Sequence, residues 1–542
     1  MNSKLNQSIL YGFILTVTGT ILLMCAVPPV SRDALIHHLA VPALYIQHQG
    51  IYELPDLVFS YYPQLLDLIY CIPLLLKNDI LPKYIHFLFA LLTSFLIYFH
   101  INKRLNKALG LVSMLFFLSL PVIIKLSITV YVDLGLIFFS FSALIFLLKW
   151  RKNNFKLKWL VLSAFFCGLA LSTKYNGLLT LFLLTAFIPF IYLEKNNQNK
   201  TDQYKSLRFA ILFLLIAGFV FSPWVIKNYI WTKNPVYPLY NSFFKKPDIT
   251  QNIKIEKKES FSWNHFMVRK YVYNETWVQT MLIPIRIFFQ GEDDNPKYFD
   301  GRLNPLLFFL PFLAFLNSKS NKFQPDQFEN KILLNFSILY ILIVFFQVDM
   351  RIRWIGPAIP PLILLSASGL VNLFNTIKFN KLLSALMAIL LVSMFSLNFI
   401  YAYNLFKKTD PLPFIFSQIT RSQYIQKFRP EYAALEFANN NLDKNTKILA
   451  FFLGDKRYYS SHDIKFNYSI LIKIVKQSTT SLEVLNSFKT YGYTDLIINY
   501  PKFNNWVSLQ FKEEEKQLIN SFFQNHTTKL FSKDRHGLYH LK

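Results

Sequence analysis

The sequence predicts a polytopic α-helical membrane protein that carries a small soluble α/β domain at its C-terminal end. Of its 542 residues, 53% are hydrophobic and 17% are aromatic, and the mean hydropathy is +0.30. Apolar runs of about twenty residues, the length that crosses a hydrocarbon layer, recur as far as residue 403 and then stop. Because soluble domains do not carry so many runs of this length, a multi-pass membrane protein is the expected class.

About eleven runs are long enough to predict spanning helices. They lie at about 9–27, 82–101, 108–124, 129–150, 157–172, 176–193, 207–227, 303–317, 332–348, 354–376 and 381–403. The length of the first run predicts an uncleaved span rather than a removed signal peptide. Segment 65–76 is apolar but short, and it contains Asp67 and Pro73, so we expect an interfacial or re-entrant helix there.

The formal net charge of +26 is accounted for by orientation in the membrane. Basic residues cluster in short loops between the apolar runs, and a cytoplasmic N-terminus places all of these loops on the cytoplasmic side. The loops are 103–107, 151–158, 195–208, 319–331 and 378–381. Nucleic-acid binding is therefore not expected. The three cysteines lie in apolar segments, which predicts neither a disulfide framework nor a C-x-x-C metal site.

The composition from about residue 410 onward is that of a soluble domain. Short apolar runs at 447–453 and 494–499 predict buried strands, a last strand is expected near 537–541, and helical patterns lie between them. The segment shows no Gly-rich phosphate loop and no nucleophile elbow. We expect an accessory or acceptor-docking domain on the outer side of the membrane.

The first loop, 28–63, carries an acid beside bases at the membrane surface. Arg32, Asp33, His37 and His38 lie within about two helical turns, and apolar residues at spacings near three and four predict an amphipathic interfacial helix over 33–48. Asp33 would lie at its first turn, near the positive helix end, which favours an ionised carboxylate. The alternative is that Asp33 only caps the helix.

Asp133 begins the outer end of a predicted span. A carboxylate in the membrane is costly unless it is paired or functional, so Asp133 is either a site residue or a structural partner of Lys125 or Lys174. Lys174 opens the next span on the same side. It is either a snorkelling anchor or a point charge for an anionic head group.

Arg351 and Arg353 flank a span on the outer side, against the usual bias of positive charge. Two alternate arginines at this boundary predict a phosphate clamp, whereas a salt bridge with Asp349 is the structural alternative. The acidic turn 291–294 carries carboxylates that suit a divalent cation, but a solvated loop is the favoured interpretation.

Aromatic residues mark the outer ends of two further segments. Tyr62 closes the first loop, Tyr175 follows Lys174, and Lys227 and Asn228 end a span that is rich in aromatic residues. The aromatic residues of segment 221–240 either form the interfacial aromatic belt or line a groove for a lipid carrier.

In their order along the chain these features resemble the GT-C glycosyltransferases, in particular bacterial relatives of the protein O-mannosyltransferases and the lipid A aminoarabinose transferase. The motif-like stretches are Arg32 to Leu39, Tyr61 to Gln64, Tyr131 to Asp133, Ser172 to Tyr175, Pro223 to Asn228 with Asn234 to Pro238, and Arg351 to Trp354. The resemblance implies a GT-C transmembrane module at 1–230 with the catalytic first loop 28–63, a long outer loop at 231–302, further spans at 303–405 and an outer α/β domain at 410–542.

The resemblance also implies roles for these residues. Asp33 corresponds to the catalytic aspartate, Asp133 to the second acidic residue, and Lys174, Arg351 and Arg353 to donor-phosphate contacts. Further candidate substrate contacts are Arg32, His37, His38, Tyr62, Tyr175, Lys227 and Asn228. The chain departs from many relatives in its His37-His38 pair and in Asp349 near the arginines, which leaves the identity of the donor open. No cofactor is expected, and a divalent metal is not supported.

The implied function is transfer of a sugar from a polyprenyl-phosphate-linked donor to an acceptor hydroxyl, with inversion, at the periplasmic side of a bacterial inner membrane. The acceptor is a glycan, a lipid or a protein, and membrane lipids are the other partners. Two alternatives stay open. A transporter or flippase for lipid-linked glycans would need charges through the depth of the bilayer, and a non-catalytic envelope-glycan assembly protein would tolerate Asp33→Asn.

Overall fold

The computed structural model describes residues 3–196, 199–244, 265–316, 326–345, 350–377 and 381–542. These residues form two compact units. One comprises residues 1–26 and 51–411, and the other comprises residues 27–50 and 412–542. We call them the membrane unit and the outer unit, the second name following the predicted side of the C-terminal domain.

Helices account for most of both units. In chain order they are α1 Ser3–Cys25, α2 Ala40–Gln47, α3 Leu65–Leu75, α4 Leu81–Arg104, α5 Lys107–Ser119, α6 Pro121–Ser127, α7 Asp133–Lys152, α8 Leu157–Thr173, α9 Gly177–Glu194, α10 Lys200–Thr232, α11 Asn241–Phe244, α12 His265–Met267, α13 Trp277–Met281, α14 Ile283–Arg286, α15 Leu306–Leu313, α16 Gln327–Phe345, α17 Ile359–Ile377, α18 Lys381–Thr409, α19 Leu412–Ile415, α20 Arg421–Phe428, α21 Tyr432–Asn441, α22 Ser469–Gln477, α23 Ser481–Thr490, α24 Tyr500–Gln510 and α25 Glu513–His526. Shorter 3-10 or π-helical segments are Ala34–His38, Val58–Tyr61, Val268–Val272, Pro296–Tyr298 and Ile352–Ala358.

The membrane unit is a multi-pass helical bundle, as predicted. Among the described residues eight helices are long and apolar enough to cross a membrane, or nine if the bent pair α5 and α6 is one span. The prediction of about eleven spans differs at three places. The run at 108–124 is broken by a bend of 63° between α5 and α6, α8 has 17 residues, and α15 has only eight. The helix α3 has eleven residues, about 16 Å, which is too short for a crossing.

The helix α7 lies at the centre of the bundle and positions Asp133 at its first residue. It packs against α4 and α8, and its apolar residues point in all directions, which is typical of a helix enclosed by others. A Cβ at Gly135 would lie 2.6 Å from the Leu66 side chain, so the glycine permits α3 to approach α7 closely. This approach brings α3 beside the first turn of α7.

The outer unit contains the predicted α/β domain. Five strands, β1 Lys447–Phe451, β2 Asp463–Lys465, β3 Asp495–Asn499, β4 Thr527–Lys533 and β5 His536–Leu541, form one sheet of order β2-β1-β3-β5-β4. The pairs β1–β2 and β1–β3 are parallel, whereas β3–β5 and β4–β5 are antiparallel. Alternate residues of β1 enter two different cores. Leu449 packs with α22–α25 and Ile448 packs with α21, so helices cover both faces of the sheet.

The start of the first loop forms part of the outer unit. The carbonyl oxygens of Pro29, Val30 and Leu35 accept hydrogen bonds at 2.8, 2.6 and 3.1 Å. The donors are the Tyr459 hydroxyl, Arg429 Nε and the Tyr458 N–H. Instead of one continuous helix over 33–48, the segment has a π-helical turn followed by α2. The domain division predicted from the sequence places this loop with the transmembrane module, whereas in the structure residues 27–50 form a unit with residues 412–542.

Candidate functional site

The polar site of the membrane unit lies at the first turn of α7. The Asp133 side chain is 2% exposed, and Lys174 Nζ donates a hydrogen bond to its Oδ1 at 2.7 Å. Lys174 stands directly after the end of α8, so two helices deliver the pair. Burial of a carboxylate is tolerated when a cation compensates its charge. Of the two partners considered for Asp133, Lys174 is the one in contact.

Arg353 adds a second cation beside this pair. Its guanidinium lies over the ring of Tyr131, 5.0 Å from the centroid, and it is close enough to act electrostatically on Asp133. The Tyr131 carbonyl accepts a hydrogen bond of 2.5 Å from the Tyr70 hydroxyl of α3, which fixes the chain two residues before Asp133. Asp133, Lys174 and Arg353 together carry one positive charge.

Arg351 faces a different carboxylate. Its Nη1 lies 3.8 Å from Asp300 Oδ2, whereas Arg353 lies near Asp133. The alternative partner, Asp349, lies outside the described residues. Asp300 also lies 3.3 Å from Lys125 Nζ.

The acidic turn 291–294 surrounds an ammonium group. Lys125 Nζ lies 3.4 Å from a carboxylate oxygen of both Asp293 and Asp294. Partial burial opposes ionisation of Asp294, but the charges of Lys125 and Lys408 outweigh it and lower the pKa of this carboxyl. These carboxylates therefore serve ion pairs in this structure.

His86 holds the first turn of α7, and the sequence analysis did not single it out. Its Nε2 accepts a hydrogen bond of 3.0 Å from the Leu134 N–H. Its Nδ1 therefore carries the ring proton and donates to the carbonyl oxygens of Leu126 and Thr129, each at 3.0 Å. His86 thus caps a helix start whose N–H groups have no intrahelical partner. The available signal was an ionisable residue inside an apolar run.

Four of the candidate substrate contacts meet at the end of α10. Lys227 Nζ donates to the Ser60 carbonyl at 2.7 Å, and Asn228 Nδ2 donates to the Tyr175 hydroxyl at 3.1 Å. The rings of Tyr62 and Tyr175 are 5.4 Å apart. Burial raises the pKa of Tyr175, so its hydroxyl stays protonated and donates to a backbone carbonyl at 2.9 Å. The structure thus brings Tyr62, Tyr175, Lys227 and Asn228 together and uses their polar groups to hold the chain.

The remaining candidates lie in the outer unit. Asp33 is half-buried and has helical dihedral angles, φ −65° and ψ −31°. N-cap residues usually have extended dihedral angles, so the capping alternative for Asp33 loses its geometric support. Arg32 is exposed, and His38 is buried with its ring centroid 4.0 Å from that of His37.

Comparisons with known proteins find one family model that matches part of the chain and solved structures that share its fold. Residues 78–234 match the model of the dolichyl-phosphate-mannose-protein mannosyltransferase family. A comparison with curated proteins found no match.

Solved structures match over almost the whole chain. The crystal structure of ArnT from Cupriavidus metallidurans bound to undecaprenyl phosphate has a TM-score of 0.56 at 12% identity, covering 99% of this chain and 98% of that one. ArnT from the same organism in the apo state has a TM-score of 0.54 at 10% identity, with 98% and 97% covered. The archaeal oligosaccharyltransferase AglB from Archaeoglobus fulgidus, in complex with an inhibitory peptide and a dolichol-phosphate, has a TM-score of 0.50 at 11% identity, with 99% and 74% covered.

The family match includes Asp133 and Lys174, and the structural matches extend through the outer unit. They confirm the resemblance that the sequence motifs predict. This chain is a multi-pass membrane protein with the GT-C glycosyltransferase fold.

Proposed function

We propose that the chain is a glycosyltransferase that moves a sugar from a polyprenyl-phosphate donor to an acceptor hydroxyl. The observation that carries this proposal is the buried Asp133, held at 2.7 Å by Lys174, with Arg353 beside it. An ammonium and a guanidinium group near one another at the end of a membrane bundle are donors that suit a phosphate monoester. ArnT binds undecaprenyl phosphate with the same fold, which supports a polyprenyl phosphate as the ligand here.

In the proposed reaction the acceptor oxygen attacks the anomeric carbon from the face opposite the phosphate. The bond from the acceptor oxygen to the anomeric carbon forms while the bond from that carbon to the phosphate oxygen breaks, and the polyprenyl phosphate leaves with the electron pair. The Asp33 carboxylate takes the acceptor proton. A carboxylate of ordinary pKa, about 4, is sufficient because the hydroxyl becomes acidic as the new bond forms. The anomeric configuration is inverted.

The cations stabilise the departing phosphate. Lys174 and Arg353 supply charge in a partly dry site, where a single well-placed donor is worth about 3 kcal/mol of transition-state stabilisation. Asp133 holds Lys174 in position through the hydrogen bond of 2.7 Å. Arg351, paired with Asp300, makes a weaker contribution. Fixed cations neutralise a monophosphate directly, so the proposed reaction needs no metal or other cofactor.

The remaining candidates are assigned to the two substrates. Tyr62, Tyr175, Lys227 and Asn228 form the polar end of the groove for the polyprenyl chain, and Arg32, His37 and His38 contact the acceptor. The acceptor is a glycan, a lipid or a protein, and the protein acts at the periplasmic face of a bacterial inner membrane.

The direct test removes the proposed base. Asp33→Asn keeps the size of the side chain but not its basicity, and Asp56→Asn, at an exposed position of the same predicted loop, is the matched control. Membranes of a deletion strain complemented with each variant would be compared by mass spectrometry of glycans, glycolipids and glycoproteins, with the amount of folded protein measured in parallel.

We expect one glycoform to disappear in the deletion strain and with Asp33→Asn, and to persist with Asp56→Asn. If Asp33→Asn restores the wild-type profile, Asp33 is not the base, and the assembly alternative gains. Accumulation of a lipid-linked glycan on the cytoplasmic side would instead favour a flippase.

A further inference from the structure

We propose that a cavity in the outer unit binds an anionic group, a phosphate or a carboxylate, carried by the glycosyl acceptor. The inference rests on the proposed function and adds to it the chemical class of the acceptor. The cavity has a volume of about 670 Å³ and is lined in part by Arg32, Lys456, Lys502, Arg535 and His536.

The cavity lies where sheets of this type bind ligands. Its wall includes Leu453 and Gly454, which follow the end of β1, and Asn499, which ends β3. From β1 the chain goes to β2 on one side, and then returns to β3 on the other side, so β1 and β3 flank the point where the strand order reverses. Ligands of open α/β sheets bind outside the carboxyl ends of the strands at this point.

The charges around the mouth are mainly positive. Arg32, Lys502 and Arg535 are exposed, and Asp534 is the acidic residue among them. Deeper in the cavity, Lys456 forms an ion pair with the buried Glu431, so that pair is neutral. A concave surface with a surplus of one charge sign concentrates ligands of the opposite sign. Guanidinium and ammonium groups are the donors that phosphates and carboxylates prefer.

The floor of the cavity is held by hydrogen bonds. His536 Nδ1 donates to the Asp534 carbonyl at 2.8 Å, so the neutral ring accepts at Nε2 from Asn499 Nδ2, which lies 2.9 Å away. Burial lowers the pKa of His536, which favours this neutral form. Asp534 and Arg535 form the two-residue turn between β4 and β5 with positive φ, 47° and 67°. A rigid hairpin thus presents Arg535.

The cavity is linked to the proposed base through the chain. Arg32 lines it, and Asp33 is the next residue. Arg429 and Tyr459 of the C-terminal domain bind the carbonyl groups of Val30 and Pro29 just before Arg32. An acceptor anchored in the cavity by its anionic group would therefore be bound beside the segment that carries Asp33.

The test changes two exposed cations of the cavity. The double variant Lys502→Glu/Arg535→Glu reverses their charge, and Lys489→Glu, an exposed lysine of α23 in the same unit, is the matched control. Each of these full-length variants, and Asp33→Asn as a third protein, would be expressed separately in the deletion strain. Undecaprenyl phosphate binding to the purified proteins would report separately on the membrane unit.

We expect the double variant to lower the glycoform that depends on Asp33 by about tenfold or more, because each charge-assisted contact contributes about a factor of ten. Lys489→Glu should stay within about twofold of wild type, the range of an exposed charge. Undecaprenyl phosphate binding should be the same in all of these proteins. Tandem mass spectrometry of the lost product would show whether its acceptor carries a phosphate or a carboxylate.

Two outcomes overturn the inference. If Asp33→Asn abolishes the glycoform while the double variant makes it at the wild-type level, or if the lost product has an acceptor without an anionic group, the cavity is not an acceptor site, although the proposed function stands. If the deletion strain loses no glycoform, the proposed function fails, and this inference fails with it.

Discussion

The two ends of α7 each bury a carboxylate among cations, but with different charge balance. At the first turn, Asp133 meets Lys174 at 2.7 Å, with Arg353 nearby. At the last turn, two arginines and one lysine meet three carboxylates, so their formal charges balance. The ion pairs at that end are Arg104–Glu329, Lys152–Glu329, Arg151–Glu194 and Arg151–Asp326, with His100 also on Glu329.

This difference distinguishes the proposed phosphate site from a structural ion-pair cluster. The last-turn cluster joins the ends of α4, α7, α9 and α16, and its charges are balanced, so it stabilises the bundle. The first-turn cluster places the Lys174 ammonium and the Arg353 guanidinium near a single described carboxylate, Asp133, and these two groups are donors that suit an anionic ligand. The last-turn cluster also contains basic residues that the positive-inside rule places together on one side. In the structure two of them, Arg104 and Lys152, share Glu329.

The largest expected effect is on stability at the last turn. Glu329, 1% exposed, forms ion pairs with both Arg104 and Lys152. Glu329→Gln should lower the free energy of unfolding by about 3–5 kcal/mol, the usual cost of removing one partner from a buried ion pair. Unfolding in mixed micelles would measure it. Glu194→Gln is the control, because its side chain is 37% exposed and its loss should cost about 1 kcal/mol or less.

A Glu329→Gln protein of unchanged stability that had lost all glycosyl transfer per folded molecule would contradict the structural role of the last-turn cluster. In that case the last turn, and not the first, would be the functional end of α7.

A large effect on binding is expected at the first turn. Arg353→Gln should weaken undecaprenyl phosphate binding by about 100-fold, because one charged donor is lost from a partly dry site. Arg151→Gln, in the last turn of α7, should leave the affinity within about twofold, since Arg151 is already paired with Glu194 and Asp326. Titration of the purified proteins with undecaprenyl phosphate would measure both. Equal losses in the two variants would show that binding reports general damage to the bundle.

Much of this contrast was accessible from the sequence. The intramembrane cost of a carboxylate singles out Asp133, and the order of the spans places it at the same predicted side as Lys174 and Arg353. Which lysine pairs with Asp133 was not accessible, because Lys125 and Lys174 satisfy the sequence argument equally. Only the packing of α8 beside α7 decides it.

Other parts of the fold lack a sequence signal for physical reasons. The strand β2 has three residues, of which one is buried, and β4 is an exposed edge strand, so neither shows apolar alternation. The attachment of the first loop to the C-terminal domain depends on backbone carbonyl groups, and Arg429 lies 399 positions after Val30. Backbone acceptors are the same in every residue, so their partners leave no pattern in the sequence.

A smaller effect is expected from His86, which caps the first turn. His86→Phe leaves the Leu134 N–H and two carbonyl groups without this partner, at a cost of about 1–3 kcal/mol of unfolding free energy. Because the cap positions Asp133, undecaprenyl phosphate binding should also weaken. His86→Gln offers an amide oxygen to the same N–H and should recover part of both losses. If Phe and Gln behave alike, the cap does not position the site.

The smallest effect concerns the exposed ion pairs near the first turn. The pKa of Asp294 is lowered by Lys125 and Lys408 despite the opposing effect of partial burial. A carboxyl group with a lowered folded-state pKa stabilises the protein above its unfolded-state pKa, near 4, and this contribution is lost as the pH falls through the folded-state value. The Asp294 side chain is 68% exposed, so solvent screening limits what its ion pairs contribute to the free energy of unfolding to about 0.5 kcal/mol. Asp294→Asn should therefore reduce stability slightly at pH 7. The difference should disappear as the pH falls through the folded-state pKa of Asp294, and at pH 7 it should shrink in high salt. A loss at pH 7 as large as that of Glu329→Gln would mean that charge balance, and not burial, sets the strength of these clusters, and the contrast between the two ends of α7 would then need no dry site.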